Sequence, residues 1–164
     1  MRTITLTSPL AGAPSLRHHP IWLCGVLTAT LDLGLAIAFW AAEGVSAGRV
    51  LQGVAAWVLG PAAYSGGAAT ALLGTLLYTG LMCALAAGYR VLARRHGALL
   101  HRPLLGGALY GAAAYLLIFG LAVPALTSAP AFTRPDWALV CLLAYMFLIG
   151  VPCALFARLP GRPA

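Results

Sequence analysis

Long apolar runs separated by short polar segments dominate the chain. Four of these runs are long enough to cross a hydrocarbon core of about 30 Å, which takes about 20 residues of α-helix. A proline stands just before the first, third and fourth runs, a position typical of a helix start. The pattern predicts four membrane-spanning helices, over about 21–42, 68–92, 104–123 and 137–156.

A further apolar segment, over about 48–59, is too short to span a membrane. Its apolar positions have the spacing of one helical face: Val50, Leu51, Val54 and Val58. Gly60 and Pro61 end the pattern. We expect a short interfacial helix on the external membrane surface, with a re-entrant helix as the alternative, because backbone at membrane depth must be shielded from lipid.

Composition supports this interpretation. The 164 residues are 62% hydrophobic and 8% charged, whereas a soluble domain has about 25% charged residues. So few charges cannot cover a soluble surface, which argues against a soluble enzyme, a disordered chain and a nucleic-acid binder. The predicted fold is an all-α integral membrane protein of one domain, 1–164: an antiparallel four-helix transmembrane bundle with the short interfacial or re-entrant helix between spans one and two.

The basic residues are distributed unevenly. All ten are Arg, and only Arg49 and Arg134 fall on one side of the predicted topology. The other eight lie in the tail 1–20, which we expect to be flexible, in the loop between spans two and three, and at the C-terminus. The positive-inside rule therefore places both termini in the cytoplasm. We expect the loop cluster to meet anionic lipid headgroups and no nucleic acid: Arg90, Arg94, Arg95 and Arg102.

Asp32 is the most informative polar residue. It lies eleven residues into the first span, which places its carboxylate near the membrane midplane, where a charge costs at least about 2.5–3.5 kcal/mol. An acid at that depth indicates either a functional site or a hydrogen-bond partner that fixes helix register. Thr28 lies on the same helical face, and the small residue Gly34 lies nearly opposite. The two faces suggest a central position or a subunit contact for this helix.

Three tyrosines, one on each of the other spans, fall near the same depth: Tyr78, Tyr115 and Tyr145. A phenol hydroxyl can donate to a carboxylate, and a buried tyrosine usually finds such a partner. The sequence thus predicts a polar cluster around Asp32, with a single Asp–Tyr hydrogen bond as the smaller alternative.

Three polar residues are expected at the outer mouth: Glu43, Arg49 and Gln52. Glu43 lies eleven residues beyond Asp32 and could line one proton or cation path with it. The alternative, which we favour, is a surface ion pair between Glu43 and Arg49 that contributes little stability.

Small residues recur at every fourth position of three spans, at Thr30, Gly34, Ala38 and Ala42, at Gly80, Ala84 and Gly88, and at Gly107 and Gly111. Such stripes let helix backbones approach closely, either within the bundle or at a homodimer contact. In the fourth span, Pro152 frees the carbonyl of Leu148 and predicts a kink.

The reactive side chains form no recognisable catalytic or metal-binding pattern. The four Cys lie inside spans without a CxxC pair, and the four His lie outside the spans. We therefore predict no cofactor, no metal and no enzyme activity.

The stretch from Arg49, Leu51 and Gln52 through Gly60 and Pro61 to the Gly66-Gly67 pair resembles small four-span proteins of the YagU-like group. The proline-rich outer loop, with Pro124, Pro130 and Pro135, is also similar. The resemblance implies a bacterial inner-membrane location and brings no established activity.

Two functions are compatible with these observations. The first is an oligomeric small-solute or proton-coupled carrier that uses Asp32 as its protonatable site. The second is a non-catalytic interaction or assembly subunit that packs against a larger membrane complex through its small-residue faces.

Overall fold

The computed structural model describes residues 19–127 and 134–159. All regular secondary structure in these residues is helical. Four of the helices are long and apolar enough to cross a membrane, as the sequence predicts. Tail residues 1–18, Pro130 and Arg162 lie outside the described residues, so the tail predictions and part of the proline-rich loop have no structural counterpart.

Six helices follow one another along the described chain: α1 (His19–Ala41), α2 (Ala47–Leu59), α3 (Gly67–Arg95), α4 (Ala98–His101), α5 (Pro103–Thr127) and α6 (Pro135–Arg158). The long apolar helices are α1, α3, α5 and α6, and each overlaps one of the predicted runs. The short helix α2 covers the predicted segment between the first two, and a 3₁₀ segment, Gly60–Ser65, links it to α3.

The limits of α2 follow from its sequence. Ser46 is the N-cap, and its hydroxyl oxygen accepts a hydrogen bond from the backbone N–H of Arg49 at 3.4 Å. Gly60 ends the helix with a φ of 61°, a left-handed conformation that favours glycine, and Pro61 prevents the α-helix from continuing. Local interactions of the chain therefore set both ends of the short helix.

The helix contacts place α6 next to all three other long helices, α1, α3 and α5. Helix α2 lies mainly along α3 and also touches α1 and the last turn of α5. The face of α1 that carries Gly34 is exposed, so α6 rather than α1 takes the central position among the described helices. Met82, Tyr89, Tyr145 and Ile149 are among the fully buried side chains of the core.

Glycines bring α5 and α6 into direct backbone contact. A Cβ atom added at Gly111 would overlap the carbonyl of Tyr145, and one added at Gly150 would overlap the carbonyl of Gly107. The stripe on α5 therefore provides the close approach expected of small residues.

The stripes on α1 and α3 behave differently. Their small residues are exposed: Thr30, Gly34 and Ala38 on α1, Ala42 directly after it, and Gly80, Ala84 and Gly88 on α3. Within the described part of the chain, Gly88 alone of these glycines meets another helix, since a Cβ atom there would lie 2.9 Å from the hydroxyl of Tyr110. Among the described residues, no other part of the chain comes within 4 Å of a Cβ atom built at Gly34 or Gly80.

Both α5 and α6 contain a π-helical segment, Ile118–Ala122 and Tyr145–Gly150. Each segment ends two residues before a proline, Pro124 or Pro152. A proline has no N–H, so the carbonyl four residues earlier loses its helical partner, and that carbonyl lies inside the π-helical segment in both helices. The interruption predicted at Pro152 is thus a widened turn, and α5 repeats it.

Candidate functional site

A cavity of about 680 Å³ lies between α1, α2, α3, α5 and α6 and opens at the end of the molecule that carries α2. Arg49 and Tyr64 are exposed lining residues and mark its mouth. The buried Tyr78 and Tyr145 and the half-buried Asp32 also line the cavity and form its floor. The most unusual polar residue predicted from the sequence therefore faces an open cavity.

One tyrosine contacts the carboxylate at this floor, and a second tyrosine contacts the first. The hydroxyl of Tyr78 donates a hydrogen bond to Asp32 Oδ2, and the hydroxyl of Tyr145 lies 3.4 Å from that of Tyr78. Tyr78 and Tyr145 are 3% and 1% exposed, so the acid is held by side chains that α3 and α6 fix in the core. The result is a chain of one carboxylate and two phenols contributed by three helices.

Two other predicted members of this cluster make different contacts. Tyr115 packs its ring against Tyr145 and Phe119, at centroid distances of 5.8 and 5.2 Å. It thus contacts two residues of the cavity without lining the cavity itself. Thr28 is fully buried, but its hydroxyl donates to the backbone carbonyls of Cys24 and Gly25 in its own helix. A helical threonine can satisfy its hydroxyl one turn back in this way, and Thr28 is not among the residues that line the cavity.

Aromatic rings form a large part of the cavity wall. Trp40, Trp57, Trp137 and Phe119 all line it. Trp57 packs edge-on to Phe119 at 6.0 Å, and Phe119 packs edge-on to Tyr145 at 5.6 Å. On the other side, Trp40 and Trp137 lie 5.6 Å apart. The carboxylate thus lies at the bottom of an aromatic-walled cavity.

One face of helix α2 lines the cavity and another packs against α3. Val50, Gly53, Val54 and Trp57 line the cavity with the i, i+3, i+4, i+7 spacing of one face. Gln52 and Ala55 are buried, and α2 packs along α3. The predicted apolar face was only partly right, because Val58, in the last turn, is 67% exposed.

The predicted residues of the mouth have separate roles. Arg49 lines the cavity, with its guanidinium 4.8 Å from the centre of the Tyr64 ring. Gln52 turns away and donates from Nε2 to the carbonyl of Gly67 at 2.9 Å, which ties α2 to the start of α3. Gln52 is thus a structural link rather than a mouth residue.

Glu43 pairs with Arg134 at 3.4 Å and not with Arg49, so the predicted Glu43–Arg49 pair was wrong. Arg134 also contacts Asp136 at 2.6 Å, and its guanidinium lies 5.4 Å from the Trp40 ring. The two carboxylates, Asp136 first and Glu43 second, raise the pKa of Arg134 above its ordinary value. Sequence reasoning chose Arg49 because it is near in sequence, whereas the start of α6 brings Arg134 across 91 residues.

The cysteines divide into one cavity residue and three core residues. Cys141 lines the cavity. Cys24 and Cys153 are buried with their sulfur atoms 3.8 Å apart, and Cys83 is buried against Gly25. In the part of the chain that the structure describes, no group of three or more His, Cys, Asp or Glu side chains has an arrangement that would hold a metal ion.

Sequence reasoning missed the aromatic walls. It searched the apolar runs for polar groups, and tryptophans near span ends are typical of membrane interfaces. One signal was present: Trp57 continues the spacing of Val50, Gly53 and Val54.

The chain matches no protein-family model, no curated protein and no solved structure. The resemblance to YagU-like proteins therefore stays a prediction, and the cavity is the main guide to function.

Proposed function

We propose that α1, α3, α5 and α6 insert as an antiparallel bundle in a bacterial inner membrane, with both termini in the cytoplasm. The uneven distribution of Arg supports this orientation. The exposed surface supports insertion, because large apolar side chains such as Leu72, Leu109 and Leu139 are 57–61% exposed. In this orientation the cavity faces outward, and the cluster from Arg90 to Arg102 meets anionic lipid headgroups on the cytoplasmic side.

Cysteine labelling tests the topology in a variant whose four native Cys are replaced. A cysteine at position 64 should react with an impermeant reagent from outside, and one at position 162 only from the cytoplasm. External labelling at 162 would overturn the orientation. Cytoplasmic labelling at 64 would show that α2 crosses the membrane.

Within this arrangement we propose that the protein is an oligomeric small-solute carrier in which Asp32 is the protonatable site. One observation carries the proposal: the carboxylate of Asp32 lies at the floor of an open cavity of about 680 Å³, a volume typical of small-molecule sites, about 300–1,000 Å³. A residue that only fixed helix register would not need a cavity of this size beside it.

Two features of the site suit a carrier. The phenol of Tyr78 gives the carboxylate a hydrogen-bonding partner when no solute is present, and the hydroxyl of Tyr145 lies next to that of Tyr78. The π-helical segments of α5 and α6 lie beside the floor and carry Phe119 and Tyr145. Such widened turns are frequent at functional sites and allow a helix to shift locally.

Asp32→Asn and Asp32→Leu separate a transport role from a structural one. Asn keeps the shape and the hydrogen-bonding capacity but cannot titrate. A carrier predicts that the Asn variant folds and assembles normally and loses proton-coupled flux in proteoliposomes loaded with a pH dye. A purely structural role predicts that Asn is tolerated and that Leu lowers stability by about 1–2 kcal/mol, the range for interhelical hydrogen bonds in membranes.

Glu43→Gln is the matched control, because it removes one carboxylate charge outside the cavity and should leave flux unchanged. Proton flux that is absent in the wild type, or unchanged in the Asn variant, would overturn the carrier function.

A second candidate function, an assembly subunit of a larger membrane complex, is favoured by a different observation. The small-residue stripes on α1 and α3 are exposed, and Gly34 and Gly80 have open space beside them. Helices that pack against a partner use such stripes. Gly34→Leu should then abolish co-purification with the partner and leave the stability of the isolated chain unchanged.

A further inference from the structure

We propose that the cavity binds an organic cation with an aromatic or bulky apolar body, whose positive centre pairs with Asp32. This proposal rests on the proposed carrier function, which gives the reason for a solute to bind. The residues that line the cavity are a separate argument that the solute is a cation.

Charge is the first step of the argument. Among the described residues that line the cavity, the one carboxyl group is that of Asp32 and the one guanidinium is that of Arg49. Arg49 lies at the mouth over the Tyr64 ring, whereas Asp32 lies on the floor. The cation of Arg134 is paired with both Glu43 and Asp136. A ligand that reaches the floor therefore meets one carboxylate and no basic side chain.

The walls are the second step. Trp57 and Phe119 stand on one side, and Trp40 and Trp137 stand on the other. Aromatic faces attract cations, tryptophan most strongly, and the same rings offer apolar surface to the body of a ligand. An anion would be repelled both by the ring faces and by the carboxylate.

The third step is the space available. A bare metal ion or a proton does not need about 680 Å³ lined by four large rings. The volume falls within the range of drug-sized ligands, about 300–1,000 Å³, and the short helix α2 narrows it from one side. The hydroxyl of Tyr78 donates a hydrogen bond to the carboxylate of Asp32 in this structure, so a bound cation must share the carboxylate with Tyr78 or displace its hydroxyl.

The test uses two ions of one shape and opposite charge, tetraphenylphosphonium and tetraphenylborate, with purified full-length protein in detergent at mildly alkaline pH. Three of the four tryptophans line the cavity, and the fourth, Trp22, is 62% exposed outside it. A Trp22→Phe background therefore confines the fluorescence signal to the site. The cation should quench it saturably and the anion should not, with equilibrium dialysis as the independent measurement.

Variants identify the groups responsible. Asp32→Asn should weaken cation binding by at least about tenfold, whereas Glu43→Gln, the matched loss of a carboxylate outside the cavity, should not. Trp57→Leu should weaken it by about two- to thirtyfold, which corresponds to about 0.5–2 kcal/mol of cation–π attraction. Arg49→Gln should preserve or strengthen binding. Binding of tetraphenylborate that is at least as tight as that of tetraphenylphosphonium and is lost in Arg49→Gln would indicate a site for anions and overturn the proposal.

Cys141 gives a readout that does not need tight binding. In a variant that keeps Cys141 and replaces the other three Cys, a cationic methanethiosulfonate should label faster than an anionic one, and Asp32→Asn should remove the difference. A variant that keeps only Cys24, which is 1% exposed and does not line the cavity, is the control and should label slowly with both reagents. Equal labelling of Cys141 by the two reagents in the wild-type background would overturn the proposal.

Binding and transport fail in distinguishable ways. Proton flux without cation-selective binding would overturn the substrate class and leave the carrier function standing. Cation-selective binding that depends on Asp32, without any flux, would support the site and overturn the carrier function.

Discussion

The contact between α5 and α6 and the cavity beside α2 show two opposite ways of packing helices in one small protein. At the contact, Gly107, Gly111 and Gly150 bring the two backbones together with no side chain between them. At the cavity, Trp40, Trp57 and Trp137 hold the helices apart. Helix α6 takes part in both regions, since the carbonyl of Tyr145 touches Gly111 and its ring lines the cavity.

The geometry of the cavity floor depends on the close contact between α5 and α6. In the proposed membrane location, association of apolar helices depends on fit rather than on the hydrophobic effect, so glycines would fix the distance between α5 and α6. That distance also fixes where Tyr145 places its hydroxyl relative to Tyr78. Loss of the tight contact should therefore disturb the floor of the cavity, whereas changes in the cavity should leave the contact intact.

The largest effect is expected from Gly111→Leu. The new side chain would enter the backbone of Tyr145, and overpacking of this kind costs about 3 kcal/mol or more. The free energy of unfolding, measured by SDS titration in mixed micelles, should fall accordingly. Gly34→Leu is the matched control with open space, and it should change stability by less than about 0.5 kcal/mol. Similar losses in both variants would show that α5 and α6 do not meet at Gly111.

A smaller loss is expected from Gly74→Ala, on the face of α3 that receives α2. A Cβ atom there would overlap the carbonyl of Leu51 and lie 3.1 Å from the backbone nitrogen of Ala55. We expect a cost of about 1–3 kcal/mol in the same titration. Gly53→Ala, on the cavity face of α2, should instead be neutral or stabilise by up to about 1 kcal/mol, since alanine favours helix. A loss of stability in Gly53→Ala as large as that in Gly74→Ala would show that Gly53 does not face an open cavity.

Within the cavity floor, Tyr78→Phe should cost about 0.6–1.7 kcal/mol, because it removes the hydrogen bond to Asp32 and keeps the ring. Tyr145→Phe should cost less, since its hydroxyl makes the longer contact of 3.4 Å. Double-mutant cycles with Asp32→Asn should assign the coupling to Tyr78. Equal coupling to both tyrosines would show that the phenols share the carboxylate.

The smallest effect is expected at the surface, from Glu43→Gln. The Glu43–Arg134 pair is half exposed, so its loss should change stability by less than about 1 kcal/mol, and by still less at high salt. Arg134 keeps Asp136 as a closer partner. A salt-independent loss of stability above this range would mean that the ion pair closes the cavity mouth and is not merely a surface contact.

Part of the site could be predicted from the sequence because depth along a helix is a local property. A rise of about 1.5 Å per residue brings Asp32, Tyr78 and Tyr145 to one level without knowledge of the packing. The direction in which a side chain points around the bundle is not local. Depth grouped Tyr115 with the floor and the shared helical face grouped Thr28 with it, although Thr28 bonds its own helix and Tyr115 packs against the ring of Tyr145.

The sequence by itself determined the all-helical class, the four long apolar helices and the end of α2, because apolar length, helical spacing and the Gly60 and Pro61 signals act within a few residues. Only the tertiary structure decided that the stripe on α5 is packed while those on α1 and α3 are exposed, and that Glu43 meets Arg134. It also decided that three tryptophans from distant segments surround one carboxylate. These outcomes depend on how helices rotate and cross, which many weak contacts between distant segments determine together.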